Sequence, residues 1–240
     1  MKIAMLISGG GTTMASIITA AKEGRLKNIL PALVIASRPE AGGIEKALNL
    51  GISKEDIVVI RPKDFLTREE FGRKIIDECK KRGVEFIGQY GWLPLTPANV
   101  VKEYEGMIIN QHPVPLDPGR PDFGGKGIHG RAAVCARLLF VKKTNRDWWN
   151  ETIAHRVEEE YDKGAVVKAL RVPILTDDTV ESLYNERIFP SEYKTQIQTL
   201  QDFADGTVKE IVRTEPLVKP EEYGILEQCK KEAIELYPHG

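Results

Sequence analysis

Short, almost wholly apolar runs alternate with longer stretches of helical spacing through the first half of the chain. The runs are Ile3 to Ser8, Ala32 to Ser37, Ile57 to Ile60, Phe86 to Tyr90 and Met107 to Gln111. Each is rich in Ile, Val, Leu and Ala, as strands buried on both faces are. Helical spacing covers roughly Met14 to Glu23, Ile44 to Leu50, Arg68 to Arg82 and Ala98 to Tyr104. Strand and helix in alternation predict a parallel sheet. The punctuation agrees: Thr67 followed by Glu69 and Glu70 reads as a helix start, Gly83 as its stop, and Thr96-Pro97 as a cap with proline at the first helical position.

After Asn110 the pattern changes. Residues 113–130 hold four prolines and five glycines, which predicts a long shaped loop rather than a regular element. A helix is expected around Arg131 to Leu138 and a strand over Thr152 to Val157. A turn at Tyr161 to Gly164 leads to a second strand over Ala165 to Pro173. A helix from about Thr179 to Phe203 should break at Pro190, and Thr207 to Val212 reads as a last strand. The stretch beyond Glu215 reads as a charged tail with a short amphipathic segment, Ile225 to Leu236; His239 lies in that tail, where chain mobility is expected.

Composition narrows the function classes. With 240 residues, 42% hydrophobic, the chain can bury a domain-sized core; 34 basic against 35 acidic residues leave a net charge of -1 without long single-sign blocks. Bulk electrostatic capture of nucleic acid or of an anionic membrane is not expected. Cys79, Cys135 and Cys229 are too few and too scattered for a disulfide frame or a cysteine zinc knuckle. The apolar run after Met1-Lys2 is too short for a signal or membrane segment, so the expected location is the cytoplasm.

Two motifs carry chemistry. Ser8-Gly9-Gly10-Gly11-Thr12-Thr13 follows the first strand and opens a helix, where backbone N–H groups and the two hydroxyls can meet an anion. Met14 replaces the last glycine of a dinucleotide fingerprint and a P-loop lysine is lacking, so a single phosphate fits better. A bare tight turn is the alternative. In Asn110-Gln111-His112-Pro113, period-two alternation puts Asn110 and His112 on one face at the carboxyl edge of the sheet. The amide suits a developing oxyanion and the imidazole a proton near neutral pH; a histidine satisfied structurally reads equally well. His112, His129 and His155 lack the spacing of a zinc site, and no metal is expected.

These segments, together with Tyr161-Asp162-Lys163-Gly164-Ala165-Val166-Val167 and Phe203-Ala204-Asp205-Gly206, resemble the motifs of the folate-dependent formyltransferases. The resemblance implies an α/β protein with a Rossmann-like, open, mostly parallel twisted sheet, helices on both faces, and a C-terminal mixed strand extension. It implies a catalytic domain over 1–213, divided into a nucleotide- and phosphate-binding half (1–112) and a folate and active-site half (113–213), followed by an extension, 214–240.

The implied activity moves a formyl group from 10-formyltetrahydrofolate, the co-substrate, to the amine of a phosphorylated acceptor, above all glycinamide ribonucleotide in de novo purine biosynthesis. Asn110 would hold the formyl oxygen, His112 would stabilise the oxyanion or relay protons, and Asp162 would position His112 and a water while favouring the imidazolium. Gly10, Gly11, Thr12 and Thr13 would hold phosphate. Glu186 would hold ribose hydroxyls, or is an ordinary solvated carboxylate. Arg68, Trp92, Leu93, Leu95 and Tyr161 would line the folate site, although Trp92 also suits a core and Arg68 a surface ion pair. His129 and His155 would support the cleft.

Departures from the family pattern lie in binding segments more than in the chemistry: an expanded 113–130 loop, Leu93 in place of an arginine, Lys163-Gly164 in place of a double glycine, a basic and tryptophan-rich stretch over 138–149, and a longer tail. Other acceptors (an amino sugar nucleotide), formyl-folate hydrolysis, and a phosphate-ligand binding module without turnover are the alternatives. A methionyl-tRNA formyltransferase would need a further basic domain that residues 214–240 are too few to form. Trp148-Trp149 suggests a homodimer contact.

Overall fold

A computed structural model describes all 240 residues, which form two compact units. The first comprises residues 1–111, 156–160 and 196–208; the second comprises 112–155, 161–195 and 209–240.

The first unit is built on strands β1 (Lys2–Ile7), β2 (Leu30–Ala36), β3 (Ile57–Val59), β4 (Phe86–Gln89) and β5 (Ile108–His112, whose last residue opens the second unit). Their order is β3-β2-β1-β4-β5 and every pairing is parallel. Helices α1 (Thr12–Lys22), α2 (Gly43–Asn49), α3 (Arg68–Lys81) and α4 (Ala98–Glu103) connect them. The central β1 has Ile3 through Ile7 without solvent exposure, which explains its unbroken apolar sequence: both faces are covered. On one face Ala4, Leu6, Leu33, Ile35 and Ile87 pack with Phe71, Ile75 and Cys79 of α3. The strand order reverses between β1 and β4, so the loops after these two strands diverge at a switch point, the place where open α/β sheets take ligands.

The expected capping box at Thr67 is present, the Thr67 hydroxyl accepting from Glu70 N–H at 3.1 Å, and Gly83 stops α3 with φ 64°. The cap of α4 differs: Pro97 occupies the N-cap and the Thr96 hydroxyl instead accepts from Gln89 Nε2 at 2.5 Å. Burial decides this, because Gln89 and Thr96 are both interior and satisfy each other.

The second unit contains α5 (Gly130–Thr144), the antiparallel pair β6 (Trp149–Arg156, its last residue in the first unit) and β7 (Val166–Pro173), the short α6 (Val180–Leu183), and α8 (Tyr223–Leu236). The helix α7 (Phe189–Ala204) begins here and ends in the first unit. Five parallel strands and two antiparallel ones thus give the open, mostly parallel sheet with a mixed extension that the sequence predicts. The break expected at Pro190 is a widened π turn, Tyr184–Ile188, directly before it. Proline has no N–H for the carbonyl four residues back, and the wider turn absorbs that lost bond.

Two expectations fail. Thr207 to Val212 forms no strand: Ile211 N–H donates to Val166 O at 2.7 Å, but Val212 is 86% exposed, so no second layer rewards pairing. The tail is also no mobile appendage. Leu226, Cys229 and Ala233 of α8 are buried in one core with Ala133, Ala136 and Phe140 of α5, the alanines letting the helices approach closely. Within this unit Arg137 is fully buried, placed between Phe123 and Trp149 at 5.0 and 4.7 Å, its guanidinium donating to the Asp147 and Trp149 carbonyls. Arg171 also lies over the Trp149 ring, at 3.8 Å. All three cysteines are reduced and buried. No helix is long and apolar enough to cross a membrane.

Candidate active site

In the first unit the glycine loop joins β1 to α1. Gly11 is the N-cap of α1 with φ 61°, and no side chain caps the helix. The first-turn amides therefore remain open to an anion. A side chain at Gly11 would meet Gly43 Cα at 2.7 Å, so close packing against α2 and the left-handed backbone both require glycine. Thr13 is buried and Thr12 half-buried.

Ser8 ties this loop to its neighbours. Its hydroxyl accepts from Leu93 N–H (3.0 Å) and Ser37 Oγ (2.7 Å), and its carbonyl from Arg38 Nε (2.5 Å). The same residues border a cavity of about 320 Å³ with Pro62, Arg68, Phe71, Pro94 and Leu95. Three of the residues expected to hold folate, Arg68, Leu93 and Leu95, thus meet in one cavity at the switch point. Arg68 forms no surface ion pair: Glu69 pairs with Arg73 and Glu70 serves the Thr67 cap. Trp92 is buried, its ring stacked on Phe71 at 6.2 Å, which places it beneath the cavity wall.

In the second unit the turn after β6 brings Asp162 between two imidazoles. Its Oδ2 lies 3.7 Å from His112 Nε2 and its Oδ1 3.5 Å from His155 Nε2. Both histidines are buried and the Asp162 side chain is only 10% exposed. His112 Nδ1 donates to Val114 O at 3.1 Å. That bond fixes the ring and its tautomer, leaving Nε2 as the buried, basic nitrogen, without a hydrogen-bond partner. Asp162 adopts φ 57°, a left-handed conformation that aspartate tolerates better than most residues, and its Oδ2 also accepts from Gly125 N–H at 2.9 Å. Asn110 precedes His112 by two positions in β5 and is half-buried.

Electrostatics correct one expectation. Burial is the largest influence on His112 and lowers its pKa below 6.5, despite the opposing pull of Asp162 and the Val114 carbonyl. The ring is therefore neutral at pH 7, and not the imidazolium that a neighbouring carboxylate alone would favour. Burial would raise the Asp162 pKa, but the two imidazoles and the Gly125 N–H outweigh it and hold the carboxyl well below its usual range. A neutral His112 cannot supply its part of that attraction, so near neutral pH the Gly125 and His155 bonds are what keep Asp162 ionised.

The remaining expected residues are spread out. Tyr161 is half-buried beside Asp162 in the same turn. Glu186 projects from the π turn, its side chain 67% exposed with Arg187 as nearest cation at 3.8 Å. His129 stands at the N-cap of α5, its ring packed against Gly240, and no hydrogen bond or ion pair links it to Asp162. No group of three His, Cys, Asp or Glu side chains converges as a metal site. Val114, Gly125 and the residues bracing them escaped the sequence reading. Their only signal was the glycine-rich composition of the 113–130 loop.

The chain belongs to the formyl transferase family, whose model matches residues 1–200. It is similar to the chloroplastic phosphoribosylglycinamide formyltransferase of Vigna unguiculata, with 30% identity over 214 residues; the match spans 86% of this chain and 62% of that one. It is 27% identical over 209 residues to phosphoribosylglycinamide formyltransferase of Escherichia coli, covering 87% of this chain and 90% of that one. Among solved structures, glycinamide ribonucleotide transformylase 1 of Symbiobacterium toebii superposes with a TM-score of 0.73 at 26% identity, over 88% of this chain and 94% of that one.

Proposed function

We propose that this chain transfers the formyl group of 10-formyltetrahydrofolate to the amine of glycinamide ribonucleotide; the names of its relatives describe formyl transfer to that acceptor for them. The observation that carries the chemistry is His112: buried, fixed through Nδ1 to Val114 O, and presenting a partnerless Nε2 beside Asp162. In the transfer, the acceptor nitrogen bonds to the formyl carbon and the carbonyl oxygen becomes an oxyanion. The bond from that carbon to the folate nitrogen then breaks. One proton leaves the attacking amine and one reaches the departing nitrogen. A neutral imidazole can accept the first and return it as the second.

Asn110 offers its side-chain amide N–H to the developing oxyanion. Asp162 holds the ring and steadies the imidazolium while it exists. The open amides of Gly10, Gly11, Thr12 and Thr13, with the two hydroxyls, receive the acceptor phosphate. Glu186 faces the ribose. Folate binding falls to Arg68, Leu93 and Leu95 at the cavity of the first unit, with Trp92 as its floor, and to Tyr161 in the second unit. His155 supports Asp162, and His129 supports the loop. The protein works on small molecules, requires no metal, and forms a homodimer, which light scattering tests.

Tetrahydrofolate release is followed spectroscopically with glycinamide ribonucleotide, with an amino sugar nucleotide, and without acceptor. Turnover dependent on glycinamide ribonucleotide is expected; turnover without any acceptor would make the protein a hydrolase, and none at all would leave only ligand binding.

A further inference from the structure

Gly124 and Gly125 share one peptide unit, and its two polar ends are gripped from opposite sides. The Gly125 N–H donates to Asp162 Oδ2 at 2.9 Å, and the Gly124 carbonyl accepts from Lys230 Nζ of α8, also at 2.9 Å. A trans peptide is a rigid plane with its C=O and N–H pointing apart, so the direction of one bond fixes the direction of the other. An ammonium on the carbonyl also polarises the amide, strengthening it as a donor.

The turn needs such a tie. Gly125 and Gly127 both have positive φ, at 118° and 83°, and the outer side of the turn borders a cavity of about 510 Å³ rather than packed core. From within the loop, Asp122 Oδ1 accepts from Gly124 N–H at 3.0 Å, which holds the start of the unit but not the Gly124–Gly125 plane itself. On the inner side there is no slack: a side chain at Gly124 would meet Leu116 at 2.6 Å and Asp162 Cβ at 2.8 Å. Lys230 is half-buried, and the charged groups around it are Asp122, Glu227, Lys163 and Asp162.

We propose that Lys230 is a positioning residue for formyl transfer, setting Asp162 through the Gly124–Gly125 peptide. The inference rests on the proposed function above and adds to it a role for α8, which lies outside the residues that match the family model.

The test compares the wild type with Lys230→Met, Lys230→Arg, and Lys231→Met as a control on the exposed side of the same helix. Three readouts are taken: kcat and KM for both substrates, the pH dependence of kcat, and the Gly125 amide proton shift by NMR. In Lys230→Met, kcat should fall roughly tenfold or more with each KM within about twofold of wild type. The acid limb of kcat should move to higher pH, because an Asp162 carboxylate less engaged by the Gly125 N–H attracts a proton on His112 more strongly and raises the pKa of that ring. The Gly125 amide proton should move upfield. Lys230→Arg should restore most of each change and Lys231→Met should make none.

Wild-type kcat and pH profile in Lys230→Met would overturn the proposal, as would a loss of activity that only tracks loss of folded protein while the Gly125 resonance stays put. A wild type without formyl transfer, or an Asp162→Asn enzyme at full rate, would defeat the proposed function instead; the Gly125 resonance still reports whether Lys230 sets the peptide.

Discussion

His112 donates its Nδ1–H to the carbonyl of Val114, two residues further along the chain, at 3.1 Å. A proline between them and a buried setting make that bond hard to exchange for another, so one tautomer is enforced and Nε2 is the nitrogen left for chemistry. Replacing His112 by Ala, or Asp162 by Asn, should lower kcat by about 10² to 10⁴-fold, and Asn110→Ala by about 10²-fold or more. Steady-state assays of tetrahydrofolate release check this; wild-type rates in all three variants would refute the assignment.

Acid should destabilise the fold through the same ring. Because the folded His112 pKa lies below 6.5, the unfolded chain binds this proton first as pH falls, and stability drops from about pH 6.5 downward. Asp162, depressed below 3.8, contributes stability that is present above that value and lost as pH falls beneath it. Urea unfolding at pH 7.5 and 5.5 should show a smaller loss in His112→Gln than in wild type.

Gly11→Ala combines a left-handed backbone with a 2.7 Å approach to Gly43 Cα. Such strain costs roughly 1–3 kcal/mol, and relieving it would displace the first turn of α1. A lower melting temperature is expected together with a raised KM for the phosphorylated acceptor; an unchanged KM would argue against phosphate binding at this loop.

Glu192 in α7 behaves in the opposite sense to His112. It is buried, and burial pushes its carboxyl up to about 8. Between 4.5 and about 8 the unfolded chain gives up this proton while the folded chain keeps it, so the penalty grows as pH rises. Glu192→Gln should therefore stabilise the protein, with a gain that increases from pH 5 to pH 8. Thermal melts across that range test it, and a pH-independent difference would contradict it.

Much of this was legible in the residues. The unbroken apolar runs of β1 and β2, the Thr67 capping box and the Asn110-x-His112 spacing each depend on neighbours close in sequence, and each is where the pattern puts it. The groups that were not legible depend on distant partners. Thr96 turned away from its helix because Gln89 was buried beside it, and Thr207 to Val212 had strand-like side chains but no layer to cover them. The charge state of His112 is not legible there either, because a sequence shows Asp162 as a partner and says nothing of how completely the ring loses water. Glu192 looked like any helix carboxylate, and only tertiary packing encloses it.

The three interior thiols offer a use that their chemistry alone would hide. Burial pushes Cys79 up to about 12 and Cys135 up to about 11, and raises Cys229 as well, so none presents a reactive thiolate to solvent while the chain stays closed. Alkylation must then wait for local opening. Since Cys79 belongs to the first compact unit and the other two to the second, mass spectrometry of site-resolved labelling against denaturant would clock the breathing of each half separately, with no probe added to the protein.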